Sequence, residues 1–468
     1  MKQHHQPSHF EREPQSKKND LVVLGSGPGG QRAAIQAAKL GKTVLVIEKQ
    51  KMGGACLHLG TIPSKALREA SLSCIPDTTS LRAVKARAKR VIDEECTIIE
   101  EQLGRNHVEF ISARGSFIDE HHVAVENSLG RFSVRGEVIV IAVGTRPRRP
   151  SEYNFDGETL FDSDSILTLD KQPSTLLVLG AGVIGCEYAS IFARMGINVT
   201  LVENRPSLLP SIDKEIVTAL SEQFQTSGIT VRLATQYNEL KSVPGSSGRK
   251  VASIQLISAE KTETLQFDAV LYCLGRSGNY EDLNLSAVDL KADDRGNLSV
   301  NKNYQTENAH IYAVGDIIGA PALAASSSEQ GRLAALHAFT GQMAEFPDTF
   351  PYGIYTIPEI STVGFQEEHL AKRGIKYVIG KAKYSELARG KMINDEYGFL
   401  KLVIHANTRR LVGIHIIGTS ATELVHIGQV AMSFGATVDF FVENVFNYPT
   451  LAEAYKVAAY NAINQLKK

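Results

Sequence analysis

The sequence contains the glycine spacing G-x-G-x-x-G between a short apolar run and an amphipathic stretch, an arrangement that few folds accommodate. The glycines of this motif are Gly25, Gly27 and Gly30. They follow a predicted strand, Leu21–Leu24, and precede a predicted helix over Gln31–Leu40. Such glycines permit a tight turn, close approach of a pyrophosphate to the backbone, and close packing of helix on strand. The next strand, Thr43–Ile47, ends at Glu48, 18 residues after the third glycine (48 − 30), where a carboxylate can bind an adenosine ribose.

The same pattern occurs a second time. The glycines of the second copy are Gly180, Gly182 and Gly185. They lie between a predicted strand, Thr175–Leu179, and a predicted helix over Cys186–Met195, and the strand Val199–Val202 then ends at Glu203. Two fingerprints 155 residues apart (180 − 25) predict two dinucleotide-binding domains in one chain. A flavin with a nicotinamide, or a pair of nicotinamides, would satisfy this pattern.

Composition excludes several other classes of function. The chain has 468 residues, enough for two to four domains, and a formal net charge of -1, which argues against nucleic acid as the main partner. No apolar run is long enough to cross a bilayer. Its 5 cysteines are too few and too scattered for a disulfide framework or a zinc site, so we expect no metal site.

The N-terminal residues 1–19 are polar, contain several histidines and are predicted to form a disordered tail. A solvated tail is favoured over weak metal binding by its histidines, which are His4, His5 and His9. The segment lacks the apolar core of a secretory signal, and we therefore expect a cytoplasmic protein.

A third segment distinguishes between the two cofactor arrangements. Residues 306–316 form a predicted short strand that ends at Gly315 and Asp316, and they resemble the second FAD fingerprint of flavoproteins with two dinucleotides. Segments 142–147 and 273–278, which contain Gly144 and Gly275, resemble the crossover segments of the same group. The resemblance assigns FAD to the first fingerprint.

From about Asp20 onwards, the chain resembles the flavoprotein disulfide reductase family. The most informative segment is residues 53–67, in which Cys56 occupies the position of the first redox cysteine, whereas the second position is Thr61. Near the C-terminus, Tyr448 replaces the family's histidine base, and Glu453 follows it. A hydroxyl cannot form a disulfide, and a phenol is a poor base near neutral pH. Reduction of a disulfide substrate through paired cysteines is thus excluded, and hydride exchange between a nicotinamide and the flavin remains.

One branch of that family, the soluble pyridine nucleotide transhydrogenases, lacks the same thiol elements. The chain is similar to this branch at residues 60–65, 353–360 and 446–453. The resemblance implies that a hydride passes from NADPH to NAD+, or in reverse, through FAD. It also implies that Lys65 and Glu187 form an ion pair beside the flavin. Cys56 is either a redox-active thiol or an inert small residue, with the inert role favoured. Tyr448 and Glu453 are further candidates near the nicotinamide, although core or interface packing explains Tyr448 equally well.

The resemblance implies a residue set for each nucleotide. The FAD set is Gly25, Gly27, Gly30, Glu48, Gly54, Lys65, Gly144, Gly315 and Asp316. The NAD(P) set is Gly180, Gly182, Gly185, Glu187, Glu203, Arg205 and Gly275. Glu203 favours NAD, because a carboxylate repels the 2′-phosphate of NADP. Arg205 or Arg276 could bind that phosphate.

The expected fold is α/β, with two Rossmann-like domains and a C-terminal α+β dimerisation domain that makes the protein a homodimer. The expected segments are residues 20–152 and 271–346 for the FAD domain, 153–270 for the NAD(P) domain and 347–468 for the dimerisation domain.

The alternative functions are an NAD(P)H diaphorase or oxidase of the same family, and a non-catalytic flavin-binding redox sensor.

Overall fold

The computed structural model describes residues 18–73, 81–245, 248–343 and 345–466. The strands are β1 (Lys18–Leu24), β2 (Val44–Glu48), β3 (Glu109–Ser112), β4 (Arg114–Phe117), β5 (His122–Asn127), β6 (Gly130–Ile141), β7 (Thr145–Pro147), β8 (Leu160–Asp162), β9 (Thr175–Leu179), β10 (Asn198–Val202), β11 (Thr230–Arg232), β12 (Gln236–Pro244), β13 (Lys250–Ile257), β14 (Thr262–Phe267), β15 (Ala269–Tyr272), β16 (Arg276–Gly278), β17 (Ile311–Ala313), β18 (Tyr352–Ile354), β19 (Ile360–Gly364), β20 (Tyr377–Lys383), β21 (Phe399–His405) and β22 (Leu411–Ile417).

The helices are α1 (Pro28–Lys39), α2 (Gly54–His58), α3 (Thr61–Leu72), α4 (Leu81–Arg105), α5 (Val183–Arg194), α6 (Lys214–Thr226), α7 (Ala324–Thr340), α8 (Glu367–Lys372), α9 (Ala388–Met392), α10 (Ala421–Ser433), α11 (Val438–Glu443) and α12 (Glu453–Leu466). Within the described part of the chain, every helix is too short or too polar to cross a bilayer.

The first strand begins earlier than its apolar residues suggest. The tail predicted for residues 1–19 lies mostly outside the described residues, as do its histidines, but Lys18 and Asn19 belong to β1. These two residues pair in parallel with Arg135 and Gly136 of β6. The predicted tail boundary at residue 19 is therefore wrong, because backbone pairing continues past the apolar run into polar residues.

The chain divides into two compact units. Unit 1 comprises residues up to Pro63, Lys89–Arg148 and Gly275–Phe346, and unit 2 comprises Ser64–Ala88, Arg149–Leu274 and residues from Pro347. The sequence-based division differs from this grouping, because it places residues 64–88 with the FAD domain and separates the second fingerprint from the C-terminal region. The four segments predicted from residue 20 onwards stay a prediction.

Unit 1 is built on a sheet with strand order β3-β2-β1-β6-β5-β4, in which β17 also pairs with β6. The strands β3, β2, β1, β6 and β17 run parallel, whereas β4 and β5 are antiparallel additions. Side chains of β1 alternate between two apolar clusters, with Val22 and Leu24 in one and Leu21 and Val23 in the other. Both faces of this strand are therefore buried, which explains its continuous apolar run.

Unit 2 contains a parallel sheet of strand order β11-β10-β9-β15-β8 around the second fingerprint. An antiparallel sheet, β18-β19-β22-β21-β20, forms the C-terminal region, and a smaller antiparallel sheet consists of β12, β13 and β14. One apolar cluster includes Leu67 of α3, Leu176 of β9 and Ile417 of β22. This shared core explains why residues 64–88 and the C-terminal sheet group with the second fingerprint.

A buried lysine links the C-terminal sheet of unit 2 to the start of α6. Lys401 of β21 has 1% of its side chain exposed, and its Nζ lies 2.9 Å from Asp213 Oδ2 and 3.3 Å from Glu215 Oε2. It also pairs with Glu367. Burial opposes ionisation of Asp213, but the charges of His415 and Lys401 and the hydrogen bonds that it accepts lower its pKa overall. Asp213 in turn accepts the Glu215 and Ile216 N–H groups at the start of α6.

We expect Lys401→Met to lower the melting temperature by several degrees, because removal of the cation leaves buried carboxylates uncompensated, at a cost of about 3–5 kcal/mol. The matched control is Lys381→Met, which removes a more exposed lysine bound to Glu215, at an expected cost of at most about 1 kcal/mol. Thermal unfolding of both variants at the same protein concentration tests this. Equal melting temperatures would contradict it.

Candidate functional site

The first glycine motif gives α1 an open N-terminus. A Cβ at Gly30 would lie 2.0 Å from the Gly25 carbonyl oxygen, so only glycine allows the helix this close to the strand. Gly25 itself has a φ of +104°, which a side chain would strain. At Gly27, by contrast, a Cβ would meet no described atom within 4 Å. The N-terminal N–H groups of α1 therefore face space in which a phosphate can bind.

The second motif repeats this geometry in unit 2. A Cβ at Gly185 would lie 1.8 Å from the Gly180 carbonyl oxygen, whereas a Cβ at Gly182 would meet no described atom within 4 Å. Gly180 has a φ of +101°. A cavity of about 290 Å³ lies beside this turn. Its lining residues are Tyr153, Gly180, Val202, Asn204, Thr235, Gln236, Tyr237 and Leu274.

The carboxylate at the end of β2 is oriented by its own turn. Glu48 Oε2 accepts hydrogen bonds from the Ser26 N–H and the Ser26 hydroxyl, each at 2.8 Å, and Oε1 accepts the Gln50 N–H at 2.8 Å. A carboxylate offers about four acceptor positions. Within the described residues, Glu48 thus retains one position, on Oε1, for a ribose hydroxyl.

The corresponding carboxylate at the end of β10 is fully occupied. Glu203 Oε2 accepts the Ala181 N–H at 2.9 Å and Arg205 Nη2 at 2.7 Å. Its Oε1 accepts the Arg205 N–H at 3.1 Å and Arg205 Nε at 2.9 Å. Burial raises the pKa of Glu203, but the hydrogen bonds from Arg205 and Ala181 outweigh it and lower the pKa overall. A ribose can bind this carboxylate only when Arg205 moves away.

The crossover segments meet Asp316 in unit 1. β7 pairs antiparallel with β16, and the Thr145 hydroxyl donates to Asp316 Oδ2 at 3.4 Å. Arg276 Nε donates to Thr145 Oγ1 and its Nη2 to the Thr145 carbonyl, each at 2.9 Å. Burial raises the pKa of Asp316, which the charge of Arg276 partly offsets. The Arg276 guanidinium thus binds Thr145.

The glycines predicted to bind FAD all lie in unit 1, whereas one glycine predicted to bind NAD(P) does not lie in unit 2 with the others. Gly144 and Gly315 both adopt positive φ, of +64° and +80°. A Cβ at Gly54 would lie 3.1 Å from the Gly27 Cα, so Gly54 lets α2 pack against the turn of the first glycine motif. Gly275, however, belongs to unit 1, where its carbonyl accepts the Arg148 N–H at 3.1 Å.

Lys65 and Glu187 form an ion pair within unit 2. Lys65 Nζ lies 2.7 Å from Glu187 Oε2 and 2.9 Å from Oε1, and the Glu187 side chain is only 5% exposed. The Tyr355 N–H donates to Glu187 Oε1 at 2.9 Å, and Lys65 Nζ lies 4.9 Å from the Tyr355 ring centroid. The glutamate is therefore fixed from two sides, and it holds the lysine ammonium in one place.

The residues at the two predicted thiol positions, Cys56 and Thr61, lie in consecutive helices. Cys56 is half-buried in α2, and Thr61 begins α3. His58 Nε2 lies 2.7 Å from the Met52 carbonyl oxygen, which binds the imidazole N–H.

Tyr448 is 73% exposed, and Glu453 begins α12, where its Oε2 accepts the Thr450 N–H at 3.5 Å. The Tyr448 side chain therefore lies at the surface of the described part of a single chain and not in its core.

Comparison with known protein families explains the repeated architecture. The family described as "Pyridine nucleotide-disulphide oxidoreductase" matches residues 19–331, and its dimerisation domain matches residues 350–459. The chain belongs to this family. The family resemblance deduced from the sequence and the predicted α/β fold are confirmed.

Curated relatives span almost the whole chain. Proteins named soluble pyridine nucleotide transhydrogenase from Mycobacterium bovis and from Vibrio cholerae are 45% and 42% identical, and each alignment covers 96% of this chain and 98% of the relative. A protein of the same name from Sodalis glossinidius is 40% identical, with the same coverage of both chains.

Solved structures share the fold. The Cu(II) complex of the HOCl-induced flavoprotein disulfide reductase RclA from Escherichia coli is 24% identical with a TM-score of 0.86, over 95% of this chain and 99% of that one. LpdA from Mycobacterium tuberculosis is 25% identical with a TM-score of 0.86, over 94% and 98% of the two chains.

Several residues of the site in this family member were not predicted from the sequence. Ser26 orients Glu48, and its place between two motif glycines is a local signal that could have identified it. Tyr355 anchors Glu187 through its backbone N–H, which carries no sequence signal. Tyr237 and Thr235 line the cavity from a region without a motif.

The second and third glycines of the second motif give opposite predictions. We expect Gly182→Ala to keep its melting temperature but to weaken pyridine nucleotide binding, because the new methyl group occupies open space where a phosphate would lie. Gly185→Ala should instead lower the melting temperature, because its methyl group would collide with the Gly180 carbonyl. Thermal unfolding and fluorescence titration with NADPH measure both effects. Equal melting temperatures in the two variants would refute this assignment.

Proposed function

We propose that the protein is an FAD-dependent NAD(P)+ transhydrogenase that passes a hydride between NADPH and NAD+. One observation carries the proposal: both dinucleotide turns are intact, while the second thiol position is Thr61. A chain with this combination can exchange hydrides but cannot reduce a disulfide through paired cysteines. Relatives that carry the transhydrogenase name at 40–45% identity support it.

Unit 1 offers groups that suit FAD. The open N-terminus of α1 at Gly27 fits a pyrophosphate, and the remaining acceptor position of Glu48 fits a ribose hydroxyl. Asp316, at the crossover segments, fits a ribitol hydroxyl. When bound, FAD accepts a hydride from one nicotinamide and returns it to another.

The proposed role of Lys65 is electrostatic. Its ammonium is held by both oxygens of Glu187, so it needs no reorganisation to stabilise negative charge that develops during hydride transfer. Glu187 is a positioning residue in this scheme, because it acts by holding Lys65. Cys56 is proposed to be an inert neighbour, since its nearest histidine in sequence, His58, binds the Met52 carbonyl.

The Glu203–Arg205 pair offers a way to bind both nicotinamide nucleotides at the second fingerprint. Arg205 is 45% exposed on its side chain, so it can turn away from Glu203 without leaving the surface. Glu203 would then accept the 2′-hydroxyl of NAD, and the freed guanidinium would bind the 2′-phosphate of NADP bidentately. The same side chain thereby offsets the repulsion between Glu203 and the phosphate.

We expect Arg205→Ala to lower kcat/KM for NADPH by about tenfold or more, because a charge-assisted hydrogen bond contributes about 1.5–3 kcal/mol. Glu203→Ala should lower kcat/KM mainly for NADH. Arg205→Lys is the matched variant, since it keeps the charge and loses the planar fork. Steady-state kinetics with both nucleotides measure these changes, and an unchanged NADPH/NADH ratio in all three variants would disprove this role.

Anaerobic stopped-flow absorbance tests the proposed function directly. Mixing the yellow holoenzyme with NADPH should bleach the flavin, and subsequent NAD+ should restore it with formation of NADH. In Lys65→Met the bleaching should slow by at least about tenfold, whereas Lys85→Met, which removes a lysine bound to the Leu169 carbonyl, should not change it. Bleaching by NADH alone with reoxidation by a quinone or oxygen would indicate a diaphorase. The absence of any bleaching would indicate a non-catalytic sensor.

We further propose that the protein is a homodimer joined through its C-terminal region. Large apolar side chains are exposed there in a single chain: Val430, Phe434, Phe440, Val445, Tyr448 and Tyr460. An exposed set of this kind is typical of a surface covered by a partner. Light scattering that gave the mass of one chain would contradict this.

We also propose a cytoplasmic location, which cell fractionation can test.

A further inference from the structure

A histidine–glutamate cluster lies in unit 1, outside the residues assigned to either dinucleotide. Glu120 and His121 occupy the loop between β4 and β5, and His310 immediately precedes β17. Each of the three side chains offers one ligand atom, which is a ring nitrogen of each histidine and a carboxylate oxygen of Glu120. These three atoms all lie within 4.8 Å of one another. The imidazole centroids of His121 and His310 are 4.3 Å apart.

Strand β6 holds both histidines in place. The Gly136 N–H donates to the His121 carbonyl at 2.9 Å, and the Ile139 N–H donates to the His310 carbonyl at 2.9 Å. Residues 190 positions apart in sequence (310 − 120) therefore converge because their backbones bind the same strand. The cluster is a consequence of sheet pairing and does not depend on a flexible side chain alone.

The neighbouring hydrogen bonds prepare His121 to bind a metal. Its Nδ1 lies 3.0 Å from the Gly136 carbonyl oxygen. Because a carbonyl only accepts, Nδ1 carries the proton, and in the neutral ring the lone pair resides on Nε2. An imidazole whose other nitrogen donates to a carbonyl is the usual arrangement of a metal-binding histidine.

Asn308 supports the other two members of the cluster. Its Nδ2 donates to Glu120 Oε2 at 3.4 Å, and its Oδ1 accepts the backbone N–H of His310 at 3.0 Å. Nearby basic groups are directed elsewhere, since Lys18 and Arg135 both bind Glu137, at 2.9 and 2.6 Å. The carboxylate of Glu120 therefore faces the two imidazoles with an amide as its support.

We propose that Glu120, His121 and His310 form a binding site for a divalent cation of the zinc class, with water as the fourth ligand. Two imidazoles and one carboxylate suit zinc, whereas magnesium and calcium require oxygen ligands. Ligands about 2.1 Å from a tetrahedral ion lie about 3.4 Å apart, and the exposed Glu120 side chain can rotate to reach this spacing. The ion would tie the β4–β5 loop to the start of β17, the strand that leads to Gly315 and Asp316.

Calorimetric titration of the full-length holoenzyme with Zn²⁺, without nicotinamide nucleotides, tests the site. The background variant carries His4→Gln, His5→Gln and His9→Gln, so that histidines of the N-terminal segment do not contribute. We expect one Zn²⁺ per chain, and at least about tenfold weaker binding in His121→Gln and in His310→Gln. Mg²⁺ should not bind. Zn²⁺ should also raise the melting temperature of the background variant and not that of His121→Gln.

The matched control is His122→Gln, which removes the adjacent imidazole, whose Nδ1 binds Asp119 at 2.9 Å. Its Zn²⁺ affinity should equal that of the background variant. Glu120→Gln serves as a second ligand variant that leaves the fold intact, because the side chain is exposed, and it should weaken binding several-fold. Unchanged affinity in His121→Gln, His310→Gln and Glu120→Gln, or equal losses in His122→Gln, would overturn the proposal.

Discussion

The structure depends on how closely a helix can approach the strand that precedes it. At Gly30 and Gly185, a single methyl group would lie within about 2 Å of a backbone oxygen, a distance that no packing can relieve. Because these positions are glycine, the first turn of each helix lies directly on its sheet. The helix N–H groups then converge on one point, and a phosphate gains both hydrogen bonds and a favourable dipole there.

The two copies of this unit differ in the state of the carboxylate that we propose to bind a ribose. Glu48 is oriented by neutral donors, Ser26 and Gln50, and keeps an acceptor position. Glu203 is held instead by the Arg205 guanidinium, which a ribose hydroxyl would have to displace in order to bind there. A permanently bound dinucleotide is served by the first arrangement, since nothing competes for the carboxylate. An exchanging one is served by the second, since Arg205 satisfies the buried charge whenever the nucleotide is absent.

Two lysines show how unit 2 uses buried charge. Lys401 joins the C-terminal sheet to the start of α6 through Asp213, and Lys65 joins α3 to α5 through Glu187. A buried carboxylate without a partner is strongly unfavourable, so Asp213 and Glu187 each fix the element that supplies their lysine. The same requirement that orders the fold thus places an ammonium at one defined position beside Tyr355.

Local pattern alone determined the elements around both fingerprints, because strand, glycine turn and helix are adjacent in sequence. The predicted strand Thr175–Leu179 matches β9, and the predicted strand Val199–Val202 lies within β10. The sequence also determined the loss of the second redox cysteine and of the histidine base, since Thr61 and Tyr448 can be read without a structure. Helix starts were predicted about three residues late, because Pro28 and Val183 begin helices inside the glycine motifs.

Tertiary structure alone decided what distant residues do together. The pairing of Arg205 with Glu203 depends on side-chain rotamers, and Tyr355 reaches Glu187 through a backbone group. His310 meets Glu120 and His121 because parallel and antiparallel strands share β6, a pairing to which a motif search is blind. Sequence thus specifies chemistry where neighbours along the chain are neighbours in space, and the fold specifies it where burial and strand pairing join remote segments.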